Sequence, residues 1–220
     1  MTDTALLFDS LPSILYGLWN TLWICSLGCV LAIMLGLLVA VLRLGLPKPL
    51  GWLLRGYVEL MRGTPFLVVL FIIYAGGPSI GLRFSAPVSG VLSLGLYGAA
   101  YFSEIFRSGF NAIPRGQIEA ANMLGLPRRY QLLHIRIPQM MRLVIPPGSN
   151  QVVILMKESA LLAVISVDEL TKTAMQIVNQ NYVVMAPYIE VGLLYWLAIE
   201  LVARGGYWLE RRYQHASRDT

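Results

Sequence analysis

The sequence predicts an all-α membrane protein with five transmembrane helices, its N-terminus outside and its C-terminus in the cytoplasm. Only 13% of its 220 residues are charged, whereas a soluble domain carries about 25%. Three uncharged runs, residues 10–42, 63–82 and 84–103, each reach the ~20 residues that a helix needs to cross a bilayer. Because lipid cannot satisfy exposed backbone polar groups, these runs are predicted to be helical.

Positive charge is distributed unevenly along the chain. Thirteen of the seventeen lysines and arginines fall on one side of the membrane if the chain crosses five times and ends in the cytoplasm. This positive-inside pattern accounts for the net charge of +5, so no nucleic-acid partner is predicted. The thirteen are Arg43, Lys48, Arg55, Arg107, Arg115, Arg128, Arg129, Arg136, Arg142, Arg204, Arg211, Arg212 and Arg218.

The predicted spans differ in their small and proline residues. They cover about residues 15–42, 57–75, 87–106, 143–156 and 187–209. Two prolines in "RLGLPKPLGW" prevent the first helix from continuing into the second. Small residues in the first span, which allow close helix approach in lipid, are Gly17, Ser26, Gly28 and Gly36.

The fourth span is unusual. Its uncharged run has only 14 residues and includes Pro146 and Pro147. It is too short to cross the bilayer unless Arg142 and Lys157 lie near opposite interfaces, or unless the helix is packed inside the protein. In the outer segment that follows, "SVDEL" predicts a helix with Ser166 as its N-cap in a capping box.

Several acidic residues lie within or beside the spans at helical spacing from an arginine. Such pairs offset part of the cost of a charge inside the membrane. Glu158 and Glu190 have no partner at that spacing, so a functional role is as open for them as a structural one. The predicted pairs are Glu59 with Arg55 and Arg62, Glu104 with Arg107, and Glu200 with Arg204.

Catalytic and metal-binding patterns are missing from the sequence. Cys25 and Cys29 lie in the first span and are predicted to be apolar filling rather than ligands or a disulfide. His134 and His215 are far apart and form no ligand pattern. A membrane-embedded enzyme and a bound metal are therefore not predicted.

The stretch "GQIEAANMLGLPRRY" stands out as a polar phrase within the predicted cytoplasmic segment 107–136. Glu119 lies near the start of a short helix, and Ala120 and Ala121 add helix propensity with little bulk. Gly125 is predicted to take the left-handed conformation at the end of that helix, and Pro127 to start a second one. The small side chains leave a shallow surface onto which another protein can dock.

The phrase "EAANMLG", followed nine residues later by "IRIP", resembles the EAA signature of membrane subunits of bacterial ABC importers. The stretches "YVELMRGTP", "AAYFSEIFRSGFNAIPRGQIEAA" and "ISVDEL" are similar to the polar amino acid permease branch of that family. The resemblance covers about residues 15–212. Ile137 replaces the usual leucine, and the matching positions are Glu119, Ala120, Ala121, Gly125, Ile135 and Pro138.

The resemblance implies one type I ABC importer transmembrane domain over residues 1–220, in the bacterial inner membrane. It implies a second membrane subunit, identical or sister, and a cytoplasmic ATPase, expected in two copies, that grips the EAA helix as a coupling helix. The chain has no G-x4-G-K-[ST] phosphate loop, so ATP and magnesium are expected on the ATPase and no cofactor in this chain. A periplasmic or lipid-anchored binding protein would deliver an amino acid.

Where the family usually carries Lys-Asp-Thr-Ser-Leu, this chain has "KESAL" at residues 157–161. An amino acid ligand carries an ammonium that pairs with a carboxylate, and a carboxylate that pairs with hydroxyls or a cation. Glu158 and Ser159 are therefore candidates for the substrate pathway, as are Arg62 and Thr64 in "RGTP". For Arg62, pairing with Glu59 is the favoured interpretation. The altered stretch is also compatible with a sister subunit that holds no substrate.

Two other classes of protein remain as alternatives. A secondary transporter driven by an ion gradient commonly has more spans and discontinuous helices in both halves, and this chain shows no internal repeat. A structural scaffold would not need the stretch that resembles the EAA signature. The sequence itself does not select the amino acid that is carried.

Overall fold

The computed structural model describes residues 3–215, with side chains described for residues 10–47 and 49–213. The described residues are almost entirely helical and contain no β-strand. Terminal residues 1–2 and 216–220, including Arg218, lie outside the described part. The helices are α1 Asp3–Gly45, α2 Lys48–Gly63, α3 Phe66–Phe71, α4 Ala86–Asn111, α5 Arg115–Met123, α6 Arg128–Tyr130, α7 Ile137–Glu158, α8 Leu170–Asn181 and α9 Met185–His215.

Short non-α helical turns extend three of these helices. A π-helical turn, Ile72–Gly76, and a 3-10 turn, Gly77–Ile80, continue α3. The π-helical segment Gln131–Arg136 joins α6 to α7, and the 3-10 segment Ser159–Ile165 follows α7.

Three helical segments of the described chain are long and apolar enough to cross a membrane, Ser10–Gly45, Arg128–Ile165 and Met185–Tyr213. The bent pair Pro49–Gly63 and Phe66–Ile80 makes a fourth if it counts as one span. Helix α4 has 26 residues, or about 39 Å, but its glycines and serines lower its hydropathy. The number of spans and the side on which each terminus lies therefore stay predictions.

The predicted second span is wrong as a single helix over residues 57–75. The chain bends by 113° between α2 and the segment that begins at Phe66. Pro65 removes a backbone donor and restricts the residue before it, so Thr64 takes an extended conformation with φ −106° and ψ 136°. As a result α2 is a separate amphipathic helix, and its Tyr57 hydroxyl donates to the Leu96 carbonyl of α4 at 2.6 Å.

The core forms where α1 packs along α4, with α7 beside α4. A Cβ added to Gly36 would lie 2.6 Å from the Phe102 Cβ, and one added to Gly95 would lie 2.4 Å from Leu31 Cδ2. These glycines let the two helices approach closely, as predicted for the first span. Ser26 is an exception to that prediction, because it is exposed and its hydroxyl donates to the Leu22 carbonyl of its own helix.

The fourth predicted span is longer than its uncharged run. Residues Arg128–Ile165 form one 38-residue helical segment, and Pro146 and Pro147 lie inside α7 without ending it. The segment is therefore long enough to cross the bilayer when its polar flanks are included.

The predicted capping box at Ser166 is wrong. Ser166 is in the left-handed region with φ 65°, and α8 begins three residues later with Glu169 as its N-cap. The fully buried Glu169 carboxylate accepts from the Thr171 and Lys172 backbone N–H groups at 2.8 and 2.7 Å and from the Tyr195 hydroxyl at 2.7 Å. Burial raises the pKa of the Glu169 carboxyl, and these three hydrogen bonds act against that rise. Glu169 thus ties α8 to α9.

Candidate functional site

The end of α5 is a Schellman turn. The Gly125 N–H donates to the Asn122 carbonyl at 3.0 Å, and the Leu126 N–H donates to the Ala121 carbonyl at 3.1 Å. Gly125 has φ +66°, which confirms the predicted left-handed residue. Helix α6 begins directly after Pro127, which confirms the predicted second start.

Helix α5 is attached to the helical bundle by one face. Ala121 is 3% exposed and Ile118 packs against the main core. The buried Gln131 amide donates to Asn122 Oδ1 at 2.9 Å and to the Leu126 carbonyl at 2.8 Å. These contacts fix the turn between α5 and α6 against the segment that leads into α7.

The other face of α5 is open. Glu119 and Ala120 are exposed, and Met123 and Leu124 are 91% and 77% exposed. Sequence reasoning expected a shallow surface made by two alanines, but only Ala120 of that pair reaches it. Two adjacent large apolar side chains exposed at this level are typical of a surface that contacts another protein or a membrane.

The remaining motif residues lie further along the chain. Ile135 is half-buried in the π-helical segment, and Pro138 is exposed at the start of α7. Glu119 lies in the second turn of α5, beyond the first turn where the helix dipole acts most strongly. The six motif residues therefore run from α5 to α7 as one segment rather than forming a compact cluster.

The predicted ion pairs are confirmed in two cases out of three. The Glu104 carboxylate pairs with Arg107 at 2.7 Å and also with Arg43 of α1, and Arg204 Nε lies 2.8 Å from the Glu200 carboxylate. The third pairing is wrong for Arg62, whose guanidinium lies 5.6 Å from the centre of the Tyr101 ring.

Arg62 lines a cavity of about 570 Å³ between α2, α4 and α7. Gln151 also lines this cavity, is 5% exposed, and has a side-chain Nε2 with no hydrogen-bond partner in the described chain. A buried amide donor without a partner is costly, so Gln151 calls for a functional or structural explanation. Sequence reasoning missed Gln151, although a glutamine beside Asn150 in an uncharged span was the available signal. The other polar lining residues are Tyr101, Glu104, Ser108 and Asn150.

The other three candidates for the substrate pathway do not line this cavity. The Thr64 hydroxyl donates to the Leu60 carbonyl at 2.7 Å. The buried Ser159 hydroxyl donates to the Met156 carbonyl, also at 2.7 Å. Glu158 is half-buried at the end of α7. Among the four candidates, the structure therefore places only Arg62 beside Gln151.

A model of the family described as "Binding-protein-dependent transport system inner membrane component" matches residues 32–215. The chain belongs to this family. The permease is 36% identical over 213 residues to the "Probable amino-acid ABC transporter permease protein YckA" of Bacillus subtilis (strain 168), covering 97% of the permease and 94% of that relative. It is 34% identical to the "Probable glutamine ABC transporter permease protein GlnM" of the same organism, covering 96% and 98% of the two chains.

The permease also resembles a solved structure described as the crystal structure of an amino acid ABC transporter with histidines. The TM-score is 0.86 with 32% sequence identity, covering 94% of the permease and 96% of that chain. The helical fold is thus that of type I ABC importer permeases, in which the permease is the transport component and a separate subunit is the ATPase. These comparisons give no support to the alternative of a secondary transporter.

Proposed function

We propose that the permease is the membrane subunit of an ATP-driven amino acid importer in the bacterial inner membrane. It forms the translocation pathway with a second membrane subunit, identical or sister. The observation that carries the proposal is the exposed end of α5, which a Schellman turn and Gln131 hold firmly on the bundle. Relatives named for amino acids support the substrate class.

The proposed topology has five spans within a single domain over residues 1–220, with a core over about 15–212. They are α1, the segment that begins at Phe66, α4, the long segment containing α7, and α9. With the N-terminus outside and the C-terminus in the cytoplasm, α5 and α6 lie on the cytoplasmic side, within the segment 107–136.

We assign α5 as the coupling helix. Met123 and Leu124 enter a groove of the cytoplasmic ATPase, of which two copies serve the two membrane subunits, and Glu119 and Ala120 line the contact. Ala121 anchors α5 on the bundle and Gly125 ends the helix. Ile135 and Pro138 transmit movement of the ATPase into α7. ATP and magnesium are bound by the ATPase, and a periplasmic or lipid-anchored binding protein delivers the substrate.

We assign the cavity beside Arg62 to the substrate pathway. A free amino acid carries a carboxylate that suits an unpaired guanidinium, and its carboxylate oxygens also suit the unpaired Gln151 amide. Glu104 is already neutralised by Arg43 and Arg107. Thr64, Glu158 and Ser159 remain candidates along the same route outside the cavity, with Glu158 as a partner for the ammonium group.

Uptake of a panel of labelled amino acids tests this assignment. Vesicles contain the permease, its membrane partner, the ATPase and the binding protein. We expect saturable uptake of at least one amino acid, and Arg62→Gln is expected to lower it about tenfold because a charge-assisted hydrogen bond is lost. Arg204→Gln is the matched control, because Arg204 is 74% exposed and outside the cavity. Absence of uptake for every amino acid would contradict the substrate class, and equal uptake by the two variants would contradict the cavity.

A further inference from the structure

A second cavity, of about 290 Å³, lies where the end of α1, α2 and the end of α4 meet. Its charged lining consists of four arginines and two glutamates, which gives it an excess of two positive charges. The lining residues are Arg43, Arg55, Arg62, Arg107, Glu59 and Glu104. An enclosed surplus of guanidinium groups favours an anion with several oxygen atoms.

Ion pairs within the lining do not neutralise this excess of positive charge. Glu104 accepts from Arg43 and Arg107 together, so one carboxylate serves two arginines. Among the described residues, Arg55 and Glu59 form no ion pair with each other or with any neighbour, although they are four residues apart on α2. Arg55 is exposed at the rim of the cavity, where its guanidinium can reach a ligand.

An exposed apolar edge of α2 runs along the side of the helix away from the arginines that line this cavity. Trp52, Leu53 and Leu60 are 68%, 71% and 66% exposed, on a helix that is bent 113° away from the segment that follows. A helix with apolar residues along one side and arginines along the other is suited to the membrane interface. A lipid that places an anionic head group in the cavity therefore meets a helix whose other side is apolar.

The cavity lies at the level of the inner leaflet if the proposed orientation holds. Arg43 is in the last turn of α1, and Arg107 is close to the end of α4 at Asn111. Both helix ends are on the predicted cytoplasmic side. The inner leaflet carries anionic phospholipids, and basic pockets between helices on that side bind their head groups.

We infer that this cavity binds the phosphate head group of an anionic phospholipid of the inner leaflet. The guanidinium groups of Arg43, Arg55 and Arg107 hold the phosphate oxygens, and the acyl chains lie along the apolar side of α2. The inference rests on the proposed orientation but not on the proposed substrate. Lipid binding is measured without transport, so its failure would leave the importer assignment standing.

The test uses the assembled transporter, purified in detergent and stripped of lipid. Native mass spectrometry measures binding of dioctanoyl phosphatidylglycerol, of dioctanoyl phosphatidylcholine and of inorganic phosphate. We expect phosphatidylglycerol to bind at least fivefold more tightly than phosphatidylcholine. Arg55→Gln is expected to weaken its binding about fivefold, as for the loss of one arginine near an anionic lipid. Glu59→Gln removes a negative charge from the rim and is expected to strengthen binding about twofold.

Arg204→Gln is the control, because it removes an exposed positive charge from α9 that does not line the cavity. Its binding of phosphatidylglycerol is expected to equal that of the native protein. Equal binding of the two lipids, or equal effects of Arg55→Gln and Arg204→Gln, would overturn the proposal. Inorganic phosphate that binds as tightly as phosphatidylglycerol would overturn the lipid as the ligand, since the apolar edge of α2 would then contribute nothing.

Discussion

Replacing Gly125 by tryptophan is expected to lower ATP-dependent uptake more than tenfold while leaving the permease folded in the membrane. Gly125 has φ +66°, where a side chain costs about 1–2 kcal/mol. A Cβ at this position meets no atom within 4 Å, so the new side chain leaves the backbone into open space. We expect the indole to lie next to the exposed Leu124, on the surface that we assign to the ATPase. Uptake and ATP hydrolysis stimulated by the binding protein are measured in the same vesicles.

Gly125→Asn is the matched variant at the same position. Asparagine tolerates the left-handed region and is much smaller than tryptophan. We expect it to retain at least half of the native uptake, because the Schellman turn persists and the docking surface stays open. If tryptophan and asparagine leave uptake equally intact, α5 does not couple the permease to an ATPase.

Replacing Glu169 by alanine is expected to lower the free energy of unfolding by about 3 kcal/mol. The buried carboxylate is the N-cap of α8 and the acceptor for Tyr195. Its loss removes the acceptor of the Thr171 and Lys172 N–H groups and leaves the Tyr195 hydroxyl only the Thr171 hydroxyl at 3.3 Å. Thermal unfolding of the permease in detergent measures the effect as a fall in Tm. The helix most affected is α8, which packs against α1 and α9.

Asp168→Ala is the neighbouring control. Asp168 pairs with Lys172 at 2.6 Å, but its side chain is 60% exposed, so the loss is expected to stay below about 1 kcal/mol. Equal falls in Tm for the two variants would mean that the buried cap does not hold α8 in place.

Features that depend on neighbouring residues in the chain were predictable from the sequence. The turn after α5 is closed by backbone hydrogen bonds within six residues, so Gly125 and Pro127 determine it locally. The small residues Gly28 and Gly36 indicated close helix packing, because a glycine in a transmembrane helix lets a neighbouring helix approach closely. The long helices were predictable from the low fraction of charged residues and the long uncharged runs.

Features that depend on distant residues were missed. Glu169 is the N-cap of α8, and Tyr195, 26 residues later, completes its hydrogen bonds. The capping-box pattern at Ser166 gives no information about that distant contact. Arg62 was assigned to Glu59 by helical spacing, but its guanidinium lies over the Tyr101 ring of α4 and forms no ion pair with Glu59. The break at Pro65 was hidden because, apart from Glu59 and Arg62, the residues on both sides of it are uncharged and were interpreted as one span.

Gln151 illustrates the limit for the candidate site. A glutamine in a span is readily explained as a residue that bonds to a neighbouring helix. Only the packing of α4 against α7 reveals that its amide lacks a partner and lines a cavity with Arg62. The turn after α5 and the start of α6 could be predicted from the sequence, whereas the cavity required the structure.

The energy source of uptake distinguishes an ATP-driven importer from a secondary transporter. Vesicles with the complete transporter are supplied either with ATP on the cytoplasmic side and no ion gradient, or with an ion gradient and no ATP. We predict uptake with ATP alone and none with the gradient alone, as the proposed coupling through α5 to an ATPase requires. Uptake that is driven by the gradient and does not depend on ATP would contradict the assignment as an ATP-driven importer.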